Sequence, residues 1–263
     1  MIRRTFLPTK EEWIANVQKA LSKNIEKVVL ARCEILDLSE SPDPFALTAQ
    51  LKKKAFGSYV FCFSDEITSF LGATPERLFK KEQNILYSEA MAGTRPAAAL
   101  KQELLSSPKD LRELRPIQIF LTHSLSPICA QAPVFSPITI HATQNVQHLY
   151  SQCRAMLLPN IEDQEILDRI HPTPALCGTP SDQACDLIRQ LEPFERGLYG
   201  GALGWRWENT SEWIVGIRSC LIRKNKAYLY AGAGIVDGSK AEEEWEELNQ
   251  KSKVFESLFK DSR

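Results

Sequence analysis

Apolar segments of strand length occur in blocks along this chain, and segments with helical apolar spacing lie between the blocks. The stretches "SYVFCFS", "SFLGATPERLF" and "NILYSEAM" predict three successive strands, and "LYGGALGWRW", "SEWIVGIRSCLI" and "KAYLYAGAGIV" predict a meander with a turn at "RKNK". A further strand is predicted at "KVVLARCEIL". This grouping, without strict alternation of strand and helix, is typical of an α+β fold with largely antiparallel sheets packed with helices.

Four stretches have the apolar spacing of amphipathic helices. They are "PTKEEWIANVQKALSK" with Thr9 as the expected N-cap, "PFALTAQLKKKA" ending at Gly57, "DQACDLIRQL" with a cap expected at Ser181, and a last helix from about Lys240 to Phe259. Residues 100–130 are also mostly helical in pattern, with interruptions expected at Pro108 and Pro116. The stretch "ATQNVQHLYSQCRAML" is either a strand followed by a helix or a helix throughout.

Composition narrows the class of protein. The 263 residues are 43% hydrophobic and 25% charged, with a net charge of −1, so the chain offers no bulk electrostatic attraction to nucleic acid or to an anionic membrane. No apolar run reaches the roughly 18–20 residues that span a bilayer, and "MIRRTFLPTKEEW" does not have the pattern of a signal peptide. We therefore expect a cytoplasmic protein that folds as a single domain over residues 1–263.

The cysteines and histidines give no metal-binding spacing. Seven cysteines occur without a CxxC pair, mostly among apolar residues, so we expect free thiols in a reducing compartment. The four histidines do not form an HxxxH pair, which argues against a zinc site.

Two charged residues lie at strand ends where catalytic groups are often found. Lys27 begins the strand "KVVLAR"; a lysine there is usually solvated, but inside a pocket desolvation would lower its pKa and make it a candidate base. Glu76 follows Pro75 in "GATPERLF"; it is either part of a surface turn or a general acid that an apolar or anionic environment keeps protonated.

Acidic residues recur on two predicted helices. In "AEEEWEELNQKSKVF", Glu244, Glu247 and Lys251 are spaced i, i+3 and i+7 and therefore share one helical face, which is either solvated or turned inward. "KDLREL" places Glu113 on another helix. Glu113 and Glu247 together could supply two carboxylates to Mg²⁺, which prefers hard oxygen ligands, although sequence spacing alone does not demand that they meet.

Three further stretches combine glycine, proline and polar residues. "AMAGTRP" contains Gly93 and Thr94, and "AGAGIV" contains Gly232; each is either an ordinary turn or strand signal, or a place where backbone approaches a ligand closely. "RIHPTPALCGTP" is a stiff, extended segment in which His171 could be a base, a ligand or a packed hydrogen-bonding residue.

Taken together and in order, these stretches resemble the chorismate-utilising enzymes, and the isochorismate synthases in particular. The resemblance is carried by "KVVLAR", "GATPERL", "AMAGTRP", "KDLRE", "HPTPALCGTP", "YGGALGW", "IVGIRS", "AGAGIV" and "EWEELNQK", and it runs from about residue 10 to the end. It implies the fold of that family in an N-terminally short form, because the relatives carry a longer N-terminal segment. Apolar surface exposed by the shorter chain would favour self-association.

The resemblance also implies a role for each candidate residue. Lys27 matches the general base that activates water for attack at C2 of chorismate, and Glu76 matches the general acid that protonates the departing C4 hydroxyl group. Glu113 and Glu247 match the ligands of Mg²⁺, which also takes the ring carboxylate of the substrate. The substrate contacts implied in the same way are Gly93, Thr94, His171, Ala175, Arg218, Gly232 and Lys251.

Particular residues separate the subfamilies. Anthranilate synthases typically lack lysine at the position of Lys27, and aminodeoxychorismate synthases typically have a lysine just before the GT pair, where this chain has Ala92 before Gly93. Salicylate synthases share Lys27 and the "AGTR" stretch, but "HPTPAL" is similar to the isochorismate synthase form. We therefore expect isochorismate synthase activity serving menaquinone or siderophore biosynthesis, with salicylate synthesis or a non-catalytic chorismate-binding relative as alternatives.

One departure lies next to a predicted metal ligand. Relatives commonly have histidine after the glutamate of "KDxxE", whereas here Leu114, Arg115 and Pro116 follow Glu113. Because proline removes a helical N–H, Pro116 predicts a kink in the segment that carries Glu113.

Overall fold

The computed structural model describes residues 3–96, 101–142 and 146–261. Its helices are α1 (Lys10–Leu21), α2 (Pro44–Lys54), α3 (Lys101–Leu105), α4 (Pro108–Leu125), α5 (Asp163–Ile170), α6 (Ser181–Leu191) and α7 (Ala241–Asp261). Its strands are β1 (Arg3–Leu7), β2 (Lys27–Asp37), β3 (Tyr59–Ser64), β4 (Thr68–Thr74), β5 (Arg77–Glu82), β6 (Ile85–Pro96), β7 (Val134–Phe135), β8 (Thr139–Ala142), β9 (Val146–Met156), β10 (Gly178–Thr179), β11 (Ala202–Trp207), β12 (Thr210–Val215), β13 (Ser219–Arg223) and β14 (Lys226–Ile235).

The described strands form two sheets, each with seven strands. The order in the first sheet is β1-β2-β14-β13-β4-β3, with β10 paired to the start of β2. The order in the second sheet is β11-β12-β5-β6-β9-β7, with β8 paired to β9. Every described pairing is antiparallel, and helices cover the sheets, which confirms the α+β fold with largely antiparallel sheets.

Two of the crossings between the sheets lie at positions where the sequence predicted uninterrupted strands. "SFLGATPERLF" is two strands, β4 and β5, that separate at Pro75 and Glu76. "SEWIVGIRSCLI" is likewise β12 and β13, which separate around Arg218, a residue with a positive φ of 49°. The crossings are tied to their neighbouring strands because the N–H of Val215 donates to the Glu76 carbonyl (3.1 Å) and that of Ala73 to the Arg218 carbonyl (3.0 Å). Glu76 and Arg218 are thereby held at the junction of the sheets.

Two apolar cores lie under the helices of the first sheet, and a third lies against the second sheet. Trp13 of α1 and Leu248 of α7 are fully buried against β2 and β14, and Leu51 of α2 is buried near β4 and β13. Leu114 and Leu121 of α4 are buried against β6 and β9. One face of α4 and one face of α7 are therefore packed in the core. This packing determines the direction in which the other faces of the two helices point.

The predicted N-cap is confirmed for α1 and is wrong for α6. Thr9 does cap α1, through a reciprocal capping box with Glu12. Ser181 is the first residue of α6 rather than its cap, since Pro180 occupies the N-cap position without a side-chain hydrogen bond. Helix α4 begins at Pro108, where a missing N–H costs nothing, and continues through Pro116 without ending there.

The stretch "ATQNVQHLYSQCRAML" is a strand where it is described, so the helix predicted for all of it or for its second part is wrong. Residues 146–156 are the strand β9, which pairs with β6 over nearly its whole length. The polar residues Gln147, His148 and Ser151 are buried in this strand, so the apolar/polar alternation that signals a strand is masked. Residues 143–145 lie outside the described residues.

Gly178 brings β10 against the start of β2. Its φ is +138°, and a Cβ atom there would lie 2.2 Å from the Lys27 carbonyl oxygen. Gly178→Ala is therefore expected to destabilise the fold by about 2–4 kcal/mol, from the backbone conformation and the steric clash together. Thermal denaturation measures this, at roughly 2–4 °C per kcal/mol for a chain of this size.

Gly57 supplies the matched control for this prediction. It also has a positive φ (+78°), but no atom lies within 4 Å of the position of its Cβ. Gly57→Ala should therefore cost only the backbone part, about 1 kcal/mol. Equal losses in the two variants would contradict the steric argument for Gly178.

No described helix combines the length and the hydropathy that crossing a membrane requires.

Candidate active site

A cavity of about 380 Å³ opens where β2 and β14 of the first sheet meet α7, α4 and the two crossings. Most of the residues singled out from the sequence are in its wall, although they come from distant parts of the chain. Those residues are Lys27, Glu76, Glu113, Ala175, Arg218, Gly232, Glu247 and Lys251.

Lys27 enters the cavity from the first residue of β2. Its side chain lies over Gly234 of β14, where a Cβ atom would be 2.9 Å from the Lys27 Cε. Burial lowers the pKa of the Lys27 ammonium group, and the carboxylates of Glu113, Glu76 and Glu247 oppose this. The lysine is therefore biased towards its neutral, basic form while it remains surrounded by acids.

Glu76 lies in the wall of the same cavity, at the crossing between β4 and β5. Burial raises the pKa of its carboxyl group to about 7, the negative charge of Glu89 adds to this, and Lys27 acts against it. Glu76 is therefore protonated at a pH where an ordinary glutamate is ionised, as a general acid requires.

The raised pKa of Glu76 predicts a dependence of stability on pH. An ordinary glutamate titrates near 4.5, so burial of Glu76 does not lower the free energy of unfolding below that pH. Between pH 4.5 and about 7 the unfolded chain loses this proton while the folded protein keeps it, so the free energy of unfolding falls, and above about 7 the loss is complete. Glu76→Gln cannot ionise, and we expect it to be more stable than the wild type by about 2–3 kcal/mol at pH 8. Urea denaturation at pH 4.5 and pH 8 measures this; a difference between the two proteins that is the same at both pH values would contradict the assignment.

Helices α4 and α7 each present two acids to the cavity at i, i+3 spacing. Asp110 and Glu113 belong to α4, and Glu244 and Glu247 belong to α7. The guanidinium group of Arg95, near the end of β6, donates two hydrogen bonds of 2.6 and 3.3 Å to the Asp110 carboxylate. The i, i+3 spacing of "KDLRE" is the sequence signal that could have identified Asp110 beside Glu113.

Two cations face these acids. The Lys251 ammonium group donates to the Gly232 carbonyl oxygen (2.7 Å) and forms an ion pair with Glu247 (2.5 Å). Burial lowers the pKa of the Lys251 ammonium group and of the Arg218 guanidinium group, and the charge of Glu247 favours the cationic form of both. The cavity wall therefore contains acidic side chains and also two cationic side chains that can bind an anionic ligand.

Gly93 and His171 are not among the described residues that line this cavity. Gly93 is buried behind it, with a φ of +65°, and a Cβ atom there would lie 2.7 Å from an Asp110 carboxylate oxygen, so its role is close packing. Thr94 belongs to β6, but its side chain lies outside the described residues. His171 ends α5 and is partly buried, and burial lowers its pKa.

Sequence reasoning missed several residues of the cavity wall. Tyr199 and Tyr230 stack with ring centroids 5.2 Å apart. Arg196 donates to the Val29 carbonyl (2.7 Å) and to the Leu176 carbonyl (2.9 Å) and so ties β2 to the segment after His171. Only "YGGALGW" carried a signal for any of them, through the tyrosine at its start.

The family model described as chorismate binding enzyme matches residues 2–259. The chain is 36% identical to isochorismate synthase 2 of Arabidopsis thaliana, over 97% of the chain and 48% of that protein. It is 35% identical to isochorismate synthase MenF of Haemophilus influenzae, over 95% of the chain and 61% of that protein. The chain therefore spans about half to three fifths of the length of these curated relatives.

The fold is similar to that of a solved relative. The structure of MenF, the menaquinone-specific isochorismate synthase of Escherichia coli, superposes with a TM-score of 0.93 at 31% identity. The match covers 98% of this chain and 62% of that one. The two-sheet architecture built above is thus that of the chorismate-utilising enzymes.

Proposed function

Because the chain belongs to the chorismate binding enzyme family, we propose that it is an isochorismate synthase, which converts chorismate to isochorismate by adding water at C2 and releasing the C4 hydroxyl group. Three of the relatives above carry the name isochorismate synthase. Chorismate is the proposed substrate, and residues 1–263 are the proposed catalytic domain.

The observation that carries this proposal is that Lys27 and Glu76 line one cavity, where their pKa values are shifted in opposite directions. Burial lowers the pKa of Lys27 and raises the pKa of Glu76 to about 7. Neutral lysine accepts the proton of the attacking water, and protonated glutamate supplies the proton with which the C4 hydroxyl group leaves as water. Each step is typically worth ~10²–10⁴-fold in rate, and both are most efficient when the pKa of the group lies near the working pH.

The proposed cofactor is Mg²⁺, held by Glu113 and Glu247. The donor set fits a hard divalent cation, since two helices direct four carboxylates, those of Asp110, Glu113, Glu244 and Glu247, into the cavity wall. No group of three or more His, Cys, Asp or Glu side chains within the described residues is arranged to hold a metal ion. Two protein carboxylates, completed by water and by the substrate carboxylate, agree with the usual coordination of Mg²⁺. When bound, the ion would neutralise the ring carboxylate of the substrate among these acids.

The cationic groups of the wall are the proposed anchors of the substrate carboxylates. Lys251 donates to the Gly232 carbonyl oxygen (2.7 Å), and Arg218 lines the same cavity. A Cβ atom at Gly232 would lie 2.8 Å from the Tyr199 hydroxyl oxygen, which disfavours a side chain there. Ala175 also borders the cavity. Arg218 and Lys251 orient the ligand, while the absence of bulk at 175 and 232 leaves room for its ring.

Compartment and assembly are proposed on separate grounds. All seven cysteines are free thiols, four of them buried, which favours a reducing compartment such as the cytoplasm.

Trp205 and Trp207 on the edge strand β11 are 51% and 72% exposed, and this apolar surface favours self-association. Size-exclusion chromatography over a range of protein concentrations tests this.

The proposed function is tested by incubating the purified chain with chorismate and Mg²⁺ and separating the products. Isochorismate supports the proposal. Salicylate with pyruvate would instead assign the salicylate synthase reaction, and anthranilate formed only with added ammonia would assign a third reaction. Unchanged chorismate that nevertheless shifts the thermal midpoint would identify a binding protein without turnover and would overturn the enzymatic proposal.

A further inference from the structure

A second, much smaller cavity lies behind Glu76. Its volume is about 10 Å³, close to the space that one water molecule needs. Glu76, Met91 and Ala175 line both this cavity and the larger one, so Glu76 stands in the wall between them. The other polar side chains that line the small cavity are Arg77, Ser88, Glu89 and Thr173.

One of these groups is available to a water molecule. Thr173 is 6% exposed, and its hydroxyl group is buried without a hydrogen-bond partner among the described residues. Ser88 already donates its hydroxyl proton to the Leu78 carbonyl (2.7 Å), which leaves its oxygen as an acceptor. With the carboxyl groups of Glu76 and Glu89, the small cavity therefore offers the two to four polar partners that an internal water molecule requires.

Glu89 is a partly buried carboxyl group between this cavity and a charged network closer to solvent. Arg77 (3.3 Å) and the Tyr150 hydroxyl (3.3 Å) both donate to one of its oxygens. Arg77 also donates to Glu212 (3.0 Å), and its guanidinium group lies over the ring of Tyr59. These cationic and hydrogen-bonding partners stabilise the ionised form of Glu89 next to Glu76, against the burial that raises its pKa.

The charged and titratable groups acting on Glu76 are few. Glu89 disfavours its ionised form, Lys27 favours it, and the buried phenol of Tyr199 interacts with it. In the proposed reaction, each turnover leaves Glu76 as a carboxylate and Lys27 as an ammonium group, and both must return to their starting forms. Lys27 and Glu76 both line the large cavity, but Glu76 also borders the small one, which gives its carboxylate a second route for the returning proton.

We propose that Glu89 controls the protonation of Glu76 across the small cavity: its negative charge holds Glu76 in the acid form, and one internal water molecule carries the proton that restores Glu76 after each turnover. This inference rests on the proposed function. Glu89 takes a proton from solvent, the cavity water accepts that proton and passes one of its own to the Glu76 carboxylate, and Glu89 returns to the carboxylate paired with Arg77. No bond other than O–H bonds forms or breaks, and the protons balance with the one released by Lys27. Glu89 is thus a positioning residue rather than a group that touches substrate.

The direct test is the titration of Glu76 in the resting protein, followed by ¹³C NMR of labelled glutamate carboxyl groups, with the Glu76 signal assigned by its loss in Glu76→Gln. Glu89→Gln changes one atom and removes the charge, so the pKa of Glu76 should fall by about one unit. Glu89→Asp retains the charge and should keep the pKa near that of the wild type. An unchanged pKa in folded Glu89→Gln would overturn the proposal.

Glu212→Gln is the matched control. Glu212 also pairs with Arg77, but it does not line the small cavity. Its replacement perturbs the same ion-pair network and should leave the pKa of Glu76 unchanged; a shift equal to that in Glu89→Gln would assign the effect to the network as a whole and contradict a specific role for Glu89.

Kinetics test the return of the proton. In Glu89→Gln, the alkaline limb of kcat/KM should move to lower pH together with the pKa of Glu76, and kcat should fall by roughly tenfold or more with KM little changed. Thr173→Val removes a partner of the water molecule and should also lower kcat; a wild-type kcat in both variants would refute the relay.

These readouts separate the two proposals. If the wild type does not convert chorismate, the proposed function fails, while the titration still decides the electrostatic coupling of Glu89 and Glu76. If the wild type is active and the pKa of Glu76 is the same in Glu89→Gln as in the wild type, only the role proposed for Glu89 fails.

Discussion

Replacing Lys27 with methionine is expected to abolish conversion of chorismate, with a loss of about 10²–10⁴-fold or more in kcat. Methionine keeps the unbranched, apolar stem that lies over Gly234, but it has no lone pair to accept the proton of the attacking water. Because burial of the lysine ammonium group is unfavourable, as its lowered pKa indicates, folding should not suffer. Initial rates with chorismate, together with circular dichroism and the thermal midpoint, measure both expectations.

Lys226→Met is the matched control for this experiment. Lys226 begins β14 as Lys27 begins β2, but its ammonium group is exposed and paired with Asp37, away from the cavity. The control should retain wild-type rates. Activity within tenfold of the wild type in folded Lys27→Met would exclude Lys27 as the general base.

The second large effect is expected from neutralising the proposed metal ligands. Glu113→Gln and Glu247→Gln each keep the shape of the side chain and remove a negative charge, and Mg²⁺ binds amide oxygens far less well than carboxylates when few ligands are present. Loss of a direct ligand should exceed the roughly 10–100-fold cost in metal affinity that is typical of outer-shell substitutions. Isothermal titration of Mg²⁺ in the presence of chorismate measures the affinity, and the rate at saturating Mg²⁺ measures the remaining turnover.

Glu246→Gln gives the control on the same helix. Glu246 neighbours Glu247 in sequence but lies outside the cavity wall, where it accepts hydrogen bonds from Asn249 and Gln250. It should bind Mg²⁺ as the wild type does. If Glu113→Gln and Glu247→Gln also kept their affinity for Mg²⁺, the metal site would have to be placed elsewhere.

The terminal helix illustrates how much of the site could be predicted from the sequence. The spacing of Glu244, Glu247 and Lys251 determines that they share one face, whatever surrounds the helix. Whether that face meets solvent or a cavity depends on which other face is buried, and this is decided by the packing of Trp245 and Leu248 against the first sheet. The sequence therefore predicts that these three residues share one face of the helix, but it does not predict whether that face meets solvent or the cavity.

The strands show a similar division. The existence of β2, β3, β13 and β14 followed from short, β-branched apolar runs, because such runs form strands in many contexts. The assignment of β4 and β5 to different sheets did not follow, because a run interrupted by Pro75 can bend within one sheet or leave it, and only its pairing partners decide. The site depends on this crossing, since Glu76 occupies it.

The sequence by itself determined the family, through an ordered set of short stretches, and it singled out Lys27, Glu76, Glu113 and Glu247 as candidates for the chemistry that the resemblance implies. Tertiary structure alone decided that these groups surround one cavity and that Lys27 and Glu76 titrate away from their ordinary ranges. The physical reason is that desolvation and charge–charge interaction depend on distances between side chains that are far apart along the chain, and no pattern of neighbouring residues encodes those distances.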